Sequence, residues 1–392
     1  MPAADGSRIR VFWMNDSWII TGANTHMHGV YGGHDIAIAD GLISEVATPE
    51  MRPFDASGLI AMPGLIDLHG DGFERHIAPR NGVEFDLETA LLATDRELIS
   101  NGITTAYLAM TISWEPGLRS IERAGEIVSA FKKVQSRCAC ELRLQLRWEI
   151  FALEAIADIE RWLDMDPAPT LAFNDHLSAI LNGMKPHIIS KNADRSGLSV
   201  EEYIARLNAL KARSDEIPAA IRHLSNLARK KGVTCFAHDE ASPDERAANR
   251  ATGVTVCEFP ITDATAHAAI DVGEATVLGA PNVLRGKSHT GAVDATNAIA
   301  KNICSVLASD YYYSSQLAAV AKLGGNDPAT MATYWPLISG NAAQAVALCD
   351  RGQIAPEQLA DLVLYRIVDS HPQIVAVLRK GQCRHLLDPA RI

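Results

Sequence analysis

Two side chains that bind divalent metals stand two residues apart at the end of an apolar run, Met62-Pro63-Gly64-Leu65-Ile66-Asp67-Leu68-His69-Gly70-Asp71. On a β-strand, residues i and i+2 point to the same face. A strand that ends this way presents an imidazole and a carboxylate to one ion. Other strand-like runs end in similar groups: Arg147-Trp148-Glu149, Asn174-Asp175-His176, His238-Asp239-Glu240, Glu258-Phe259-Pro260 and Ser309-Asp310. Taken singly each is ordinary, because a lone His or Asp more often serves a core or a helix cap. Together they place three His and at least three carboxylates at strand ends. His69, Asp71, Glu149, His176, His238 and Asp310 are the expected ligands of one or two divalent ions, zinc first, with manganese or iron as alternatives. Such ions lower the pKa of bound water toward neutrality. Asp310, on the last strand, is the expected general base. Glu258 is left open as a ligand. His26-Met27-His28 has the same spacing but falls in a turn of a separate β region and is not expected to hold a functional metal.

The elements that would position these residues follow from hydrophobic patterning. Between residues 63 and 345, candidate strands at 65–71, 104–110, 143–150, 170–176, 234–240, 254–260, 276–282 and 303–310 alternate with helices that include 85–101, 117–136, 198–231 and 328–348. Eight strands alternating with helices predict an α/β fold of the (β/α)8 TIM-type barrel, whose active site lies at the C-terminal ends of the strands. No G-x-G-x-x-G fingerprint follows the first strand, which disfavours an open dinucleotide-binding sheet. In the third strand Arg143, Gln145, Arg147 and Glu149 alternate with Leu144, Leu146 and Trp148. The apolar set should face the outer helices and the polar set the barrel interior, where charges must be paired or bind metal. The chain ends differ. Short strands such as 18–21, 35–39 and 42–46, with a hairpin signal at Asp40-Gly41, match others at 360–365 and 374–378. Residues 1–62 and 346–392 are therefore expected to join into one small β-sandwich domain beside a barrel of 63–345.

A second polar region follows the seventh strand: Gly279-Ala280-Pro281-Asn282-Val283-Leu284-Arg285-Gly286-Lys287-Ser288-His289-Thr290-Gly291. It offers backbone N–H groups, cations and hydroxyls, which suit an anionic phosphate or phosphonate. Asn282, Arg285, Lys287, Ser288 and His289 are candidate substrate contacts, with Arg75 and Arg80 after the first strand and Arg147 in the third. A solvated basic turn and surface ion pairs are the plainer readings of these cations.

The 392 residues are 47% hydrophobic and 21% charged, enough for a large core, and carry a formal net charge of −11. That charge argues against nucleic acid or an anionic membrane as partner. No run of apolar residues reaches membrane-spanning length and no signal peptide is seen. Seven scattered cysteines fit reduced structural thiols, so the cytoplasm is the expected compartment. A small-molecule anionic substrate and a homodimer are expected.

The same residues resemble a known group. The strand-one segment, Asn341-Ala342-Ala343, Asp350-Arg351-Gly352-Gln353-Ile354 and Ala360-Asp361-Leu362-Val363 look like the amidohydrolase superfamily. Within it the chain resembles the PhnM family of phosphonate breakdown. The matching stretches are His69-Gly70-Asp71, Ala78-Pro79-Arg80, Asn101-Gly102-Ile103-Thr104-Thr105, Leu146-Arg147-Trp148-Glu149, Asp175-His176, Ala237-His238-Asp239-Glu240, Glu258-Phe259-Pro260, the loop after the seventh strand, and Ser309-Asp310-Tyr311. The resemblance implies a metallohydrolase that cleaves diphosphate from α-D-ribose 1-methylphosphonate 5-triphosphate. Most of the superfamily carries H-x-H on strand one, whereas Asp71 here matches the PhnM group. The stretch Leu177–Met184 is largely apolar where that group is polar, and Lys287 and Ala292 replace its usual Gly and Asn. Two further readings stand beside this one: hydrolysis of a C–N bond in a small cyclic or N-acyl compound by an amidohydrolase or deaminase, and a barrel that has lost catalysis.

Overall fold

The computed structural model describes residues 17–27, 30–80, 82–181, 186–286 and 293–391. Among them, seven short strands open the chain: β1 (Trp18–Thr21), β2 (Asn24–Met27), β3 (Val30–Gly33), β4 (Ile36–Ala39), β5 (Leu42–Ser44), β6 (Arg52–Asp55) and β7 (Ile60–Pro63). Eight strands separated by helices follow: β8 (Leu65–Gly70), β9 (Ile103–Ile112), β10 (Glu141–Glu149), β11 (Thr170–Asn174), β12 (Cys235–His238), β13 (Val256–Glu258), β14 (Ala275–Gly279) and β15 (Val306–Ala308). Three close the chain: β16 (Leu362–Val368), β17 (His371–Arg379) and β18 (Gln382–Leu386).

β8 to β15 lie side by side in sequence order, all parallel, as in a (β/α)8 barrel. The chain ends form one sheet ordered β5-β4-β1-β6 and another ordered β18-β17-β16-β7-β2-β3, so strands from both termini pair directly. Trp18, Ile20, Ile38, Phe54, Leu362, Leu364 and Val375 share one core between these two sheets. The hairpin at Asp40-Gly41 forms with both residues at positive φ, 53° and 79°, as its two-residue turn requires.

Alternation sorts the barrel into two layers. Leu142, Leu144, Leu146 and Trp148 of β10 pack outward with the helices. Ile66, Leu68, Tyr107, Ala172, Phe236, Val256, Val277 and Val306 fill the inside. The lower lumen ends in a buried ion network: Glu141 Oε1 lies 2.6 Å from Arg143 Nη2 and 3.0 Å from Arg351 Nη1, and Arg351 also donates to Thr105 Oγ1 at 2.8 Å. Arg143 therefore belongs to the barrel floor.

The first and last strands meet at a seam. The Asp310 N–H donates to the His69 carbonyl and the Asp71 N–H to the Asp310 carbonyl, both at 2.9 Å. Beneath, the Asp67 carboxylate accepts from the Ser309 N–H at 2.8 Å and from the Ser309 hydroxyl. Gln316 Nε2 donates to the carbonyls of Ile66 and Leu307, at 3.2 and 2.8 Å. Gly70 is required there, because a Cβ would come within 2.6 Å of both Asp67 Oδ2 and the Tyr313 ring.

Several boundaries differ from the sequence expectation. β14 stops at Gly279, and Ala280–Arg285 is a short helix with Pro281 in its first turn, where a missing N–H costs nothing. The stretch 198–231 is two helices, Val200–Lys211 and Ile217–Lys230, the second starting at Ile217-Pro218. The stretch 328–348 breaks at Trp335-Pro336, since proline supplies no helical hydrogen bond. His26 lies in strand β2, not in a turn, and His28 falls outside the described residues. Among the described residues, no helix is long and apolar enough to cross a membrane.

Asp67 is fully buried and its loss strands the Ser309 N–H and hydroxyl. Asp67→Ala is expected to destabilise the protein by about 3 kcal/mol in urea unfolding. A loss under about 1 kcal/mol would remove this seam as a main support.

Candidate metal centre

The top lumen positions of the strands are set by register. Glu149 of β10 pairs with Asn174 of β11, and His238 of β12 pairs with Glu258 of β13. β8 delivers His69 and, one residue past Gly70, Asp71; the seam adds Asp310 beside them. Among the described residues three groups have ligand atoms close enough to share an ion: His69 with Asp71 and Asp310, His69 with His238 and Glu258, and His176 with His238 and Asp239. His69 and His238 belong to two groups each, so the three form one continuous site.

Direct contacts tie the groups together. His176 Nδ1 lies 2.5 Å from Glu149 Oε1, and the His176 N–H donates to Glu149 Oε2 at 3.2 Å. His176 Nε2 is 3.6 Å, and His238 Nδ1 2.9 Å, from Asp239 Oδ2. His69 Nδ1 is 3.0 Å from Glu258 Oε1, and Gln145 donates to that same oxygen at 2.8 Å. The Phe259 ring packs edge-on against both His69 and His238, at 4.9 and 5.1 Å between centroids.

Two guanidinium groups enter among the acids. Arg147 Nη2 lies 3.3 Å from His238 Nε2, and Arg147 Nη1 3.9 Å from Asp71 Oδ2. Arg119 Nη2 stands 4.0 Å from the same Asp71 oxygen while its fork is held by Glu74.

Burial and charge tune the site unevenly. Burial, helped by the Arg147 charge, pushes His69 down to about 3. Burial also lowers His238, outweighing the pull of Asp239. Both imidazoles are therefore neutral, the form that coordinates metal. Glu149 holds His176 up at about 10 against the cost of burial. Burial, then the Asp71 carboxylate, pushes Asp310 up to about 7. Burial raises Glu258 as well.

The donor set fits divalent metal. Neutral imidazoles and carboxylates are the ligands zinc and manganese take. Asp71, Glu149, Asp239, Glu258 and Asp310 outnumber the cations Arg147, Arg119 and His176 that face them, and partly or fully buried negative charge in excess needs a counter-ion. His69 Nδ1, His238 Nδ1 and Glu258 Oε2 are buried without a hydrogen-bond partner among the described residues. His69 Nδ1 is near Glu258 but not aligned to bond it.

The structure thus brings His69, Asp71, Glu149, His176, His238, Asp310 and Arg147 into one lumen. Asp239, Glu258 and Arg119 join them. Arg75 donates to the Tyr311 carbonyl at 2.6 Å and pairs with Glu97, and Arg285 Nη1 reaches the Tyr311 hydroxyl at 3.3 Å, so both stand at the mouth. Arg80 is exposed on the loop after β8. The Asn282 amide is engaged with the backbone of Val293 and Ala295. Lys287, Ser288 and His289 lie outside the described residues.

No protein-family profile matches the sequence. The chain is 28% identical over 358 residues to the alpha-D-ribose 1-methylphosphonate 5-triphosphate diphosphatase of Escherichia coli (strain K12), covering 86% of this chain and 94% of that protein. Solved structures share the fold at lower identity. An amidohydrolase from an environmental sample of the Sargasso sea superposes with a TM-score of 0.62 at 14% identity, covering 94% of this chain and 93% of that one. Atrazine chlorohydrolase from Arthrobacter aurescens TC1, complexed with zinc, gives 0.62 at 10% identity over 95% and 97% of the two chains. An adenosine deaminase from Xanthomonas campestris with bound zinc gives 0.59 at 13% over 95% and 94%.

Metal binding should move protons. Near pH 8 His176 is protonated whereas His69 and His238 are neutral, so zinc binding is expected to expel at least one proton. Below Asp310's value of about 7 that carboxyl contributes another, so apparent affinity falls as pH falls. Calorimetric titration in buffers of different ionisation heat counts these protons. None released near pH 8 would place His176 outside the ligand set. Glu258→Gln is expected to weaken zinc binding roughly 10- to 100-fold, measured by competition with a chromogenic chelator.

Proposed function

We propose that this chain, a PhnM-like member of the amidohydrolase superfamily and a metal-dependent hydrolase, acts on a phosphoanhydride, cleaving diphosphate from α-D-ribose 1-methylphosphonate 5-triphosphate in phosphonate breakdown. The observation that carries the reading is Arg147. Its guanidinium is buried in the middle of the ligand cluster, between His238 and Asp71. A fixed cation there suits a substrate whose reacting group is itself anionic. The E. coli relative, aligned over most of both chains, acts on such a compound. Arg119 near Asp71, and Arg75 and Arg285 gathered on Tyr311, place guanidinium donors from the lumen to the mouth, Arg119 and Arg75 also paired with Glu74 and Glu97. A polyphosphate needs such a path for its leaving group.

His69, Asp71, Glu149, His176, His238 and Asp310 would hold one or two divalent ions, with Asp239 and Glu258 within reach of the same atoms. When bound, the ions supply Lewis-acid stabilisation of phosphoryl oxygens and make water acidic near neutral pH. The chain's own residues do the rest. Arg147 binds and orients an anionic oxygen of the substrate. Asp310, set beside His69 and Asp71 at the seam, is placed to take a proton from the attacking water. Its backbone is held in place by bonds to both His69 and Asp71. Gly279 keeps the approach open, because a Cβ there would lie 3.2 Å from Asp310 Oδ2.

Zinc- or manganese-loaded enzyme is expected to convert the triphosphate to the 5-phosphate and diphosphate, followed by phosphorus NMR. Turnover of N-acyl or cyclic amides with no diphosphate release would replace this reading by C–N hydrolysis. Asp310→Asn should lower kcat roughly 10²- to 10⁴-fold in enzyme reloaded to the wild-type metal content. Arg147→Ala should lower kcat/KM by about 100-fold or more, and an unchanged ratio would remove the anion contact.

A further inference from the structure

At the top of the lumen strand four carries a residue that is not a typical metal ligand. Asn174 ends β11, opposite Glu149 in register, and because Phe173 pairs with Ala237 it stands beside His238 on the other side. Its side chain faces inward by alternation: Leu171 and Phe173 pack outward with the helices, whereas Ala172 packs inside the barrel. Asn174 is 1% exposed, yet neither its Nδ2 nor its Oδ1 has a hydrogen-bond partner among the described residues. A buried amide with both ends unmatched is costly and is retained where something outside the chain completes it. Arg147, one lumen position lower on the neighbouring strand, has its Nε buried and unpartnered in the same way.

We propose that Asn174 is a substrate-contacting catalytic residue, its Nδ2 donating with Arg147 to an anionic oxygen of the reacting group. The inference rests on the phosphoanhydride reading for the identity of that oxygen. Two donors on adjacent strands, one of them cationic, already desolvated and fixed by β-structure, are suited to charge that grows during reaction. An amide suits this position because it donates without adding charge between Glu149 and His238. An acid there would add to the excess negative charge, and a lysine would compete with the metal.

The test compares metal-loaded wild type with Asn174→Ala, Asn174→Asp and Asn174→Leu, using metal analysis, thermal unfolding, calorimetric binding of inorganic pyrophosphate, and steady-state turnover. The proposal expects native metal content in Asn174→Ala, with pyrophosphate bound at least 10-fold more weakly and kcat/KM down about 100-fold. Asn174→Asp should be worse than Ala, since it loses the donor and repels the anion. Asn174→Leu, of similar size without polar ends, should unfold at or above the wild-type temperature while losing turnover. Unaltered pyrophosphate affinity with lowered melting temperatures in both Ala and Leu would overturn the proposal and make Asn174 structural. Lost metal in Asn174→Ala would overturn it in favour of a ligand-holding role. A wild type that neither binds pyrophosphate nor cleaves the triphosphate would instead sink the phosphoanhydride reading. A lowered melting temperature in Asn174→Leu would in that case overturn the Asn174 inference as well.

Discussion

Closing a parallel barrel joins its first strand to its last, and in this molecule that seam runs through the chemistry. The His69 carbonyl and the Asp71 N–H both bond the backbone of Asp310. Three candidate ligands, separated by some 240 positions in the chain, are thereby fixed against one another by main-chain geometry before any ion or substrate arrives. The seam is buttressed one layer down by Asp67 on Ser309 and by Gln316 on two carbonyls. Side chains held on rigid strands and backed by a second set of hydrogen bonds keep their geometry better than side chains on loops. Gly70 and Gly279 matter for the same reason, since a methyl group at either would push into the carboxylates the seam positions.

The barrel interior also separates two uses of buried charge. At the floor, Glu141 is matched by Arg143 and Arg351, with Arg379 3.6 Å away, and Arg351 is met again by Asp350. These charges are paired and hydrogen-bonded, which is the condition for tolerating them away from water. They also tie strand β10 to the C-terminal sheet. At the top, the same strand offers Arg147 and Glu149 to a cluster where carboxylates exceed cations. One alternating strand thus carries a closed network at one end and an open one at the other. The open end is where a ligand completes the balance.

Much of this was legible in the sequence because strands have a period of two and barrels put chemistry at one end of them. The eight-strand alternation, the inward ladder Arg143-Gln145-Arg147-Glu149, and the ligand types at strand ends follow from those two rules alone. The order of the sheets at the chain ends was not legible, since β7 pairs with β16 across 300 residues with no local signal. Nor was Arg119, which reaches Asp71 from the loop before the helix Ile121–Val134, held there by Glu74. Asn174 could have been found from register: it occupies the same strand-end level as Glu149 and His238. Its neutral side chain gave no reason to look.

Asp239 and Phe259 were missed for a different reason, and it is the one that shapes the site. Strict alternation sends the residue after His238 and the residue after Glu258 away from the lumen. Instead both adopt left-handed backbone, at φ 59° and 52°, as does Asp310 at 57°. An L-residue there costs on the order of 1 kcal/mol. Each such turn ends its strand abruptly and brings the next side chain back over the lumen. That is how the Asp239 carboxylate comes within 2.9 Å of His238 Nδ1, and how the Phe259 ring wedges against His69 and His238. The wedge excludes water from one side of both imidazoles and sustains the burial that keeps them neutral. Three left-handed residues thus fall where alternation is broken to gather ligands, while others, such as Asp40, Asn302 and Ala347, lie in turns elsewhere. Stabilising contacts lie beneath that rim, in the outer layer, the Asp67–Ser309 bonds and the floor. A fold organised this way tolerates a costly top rim because packing and paired charge lie beneath it.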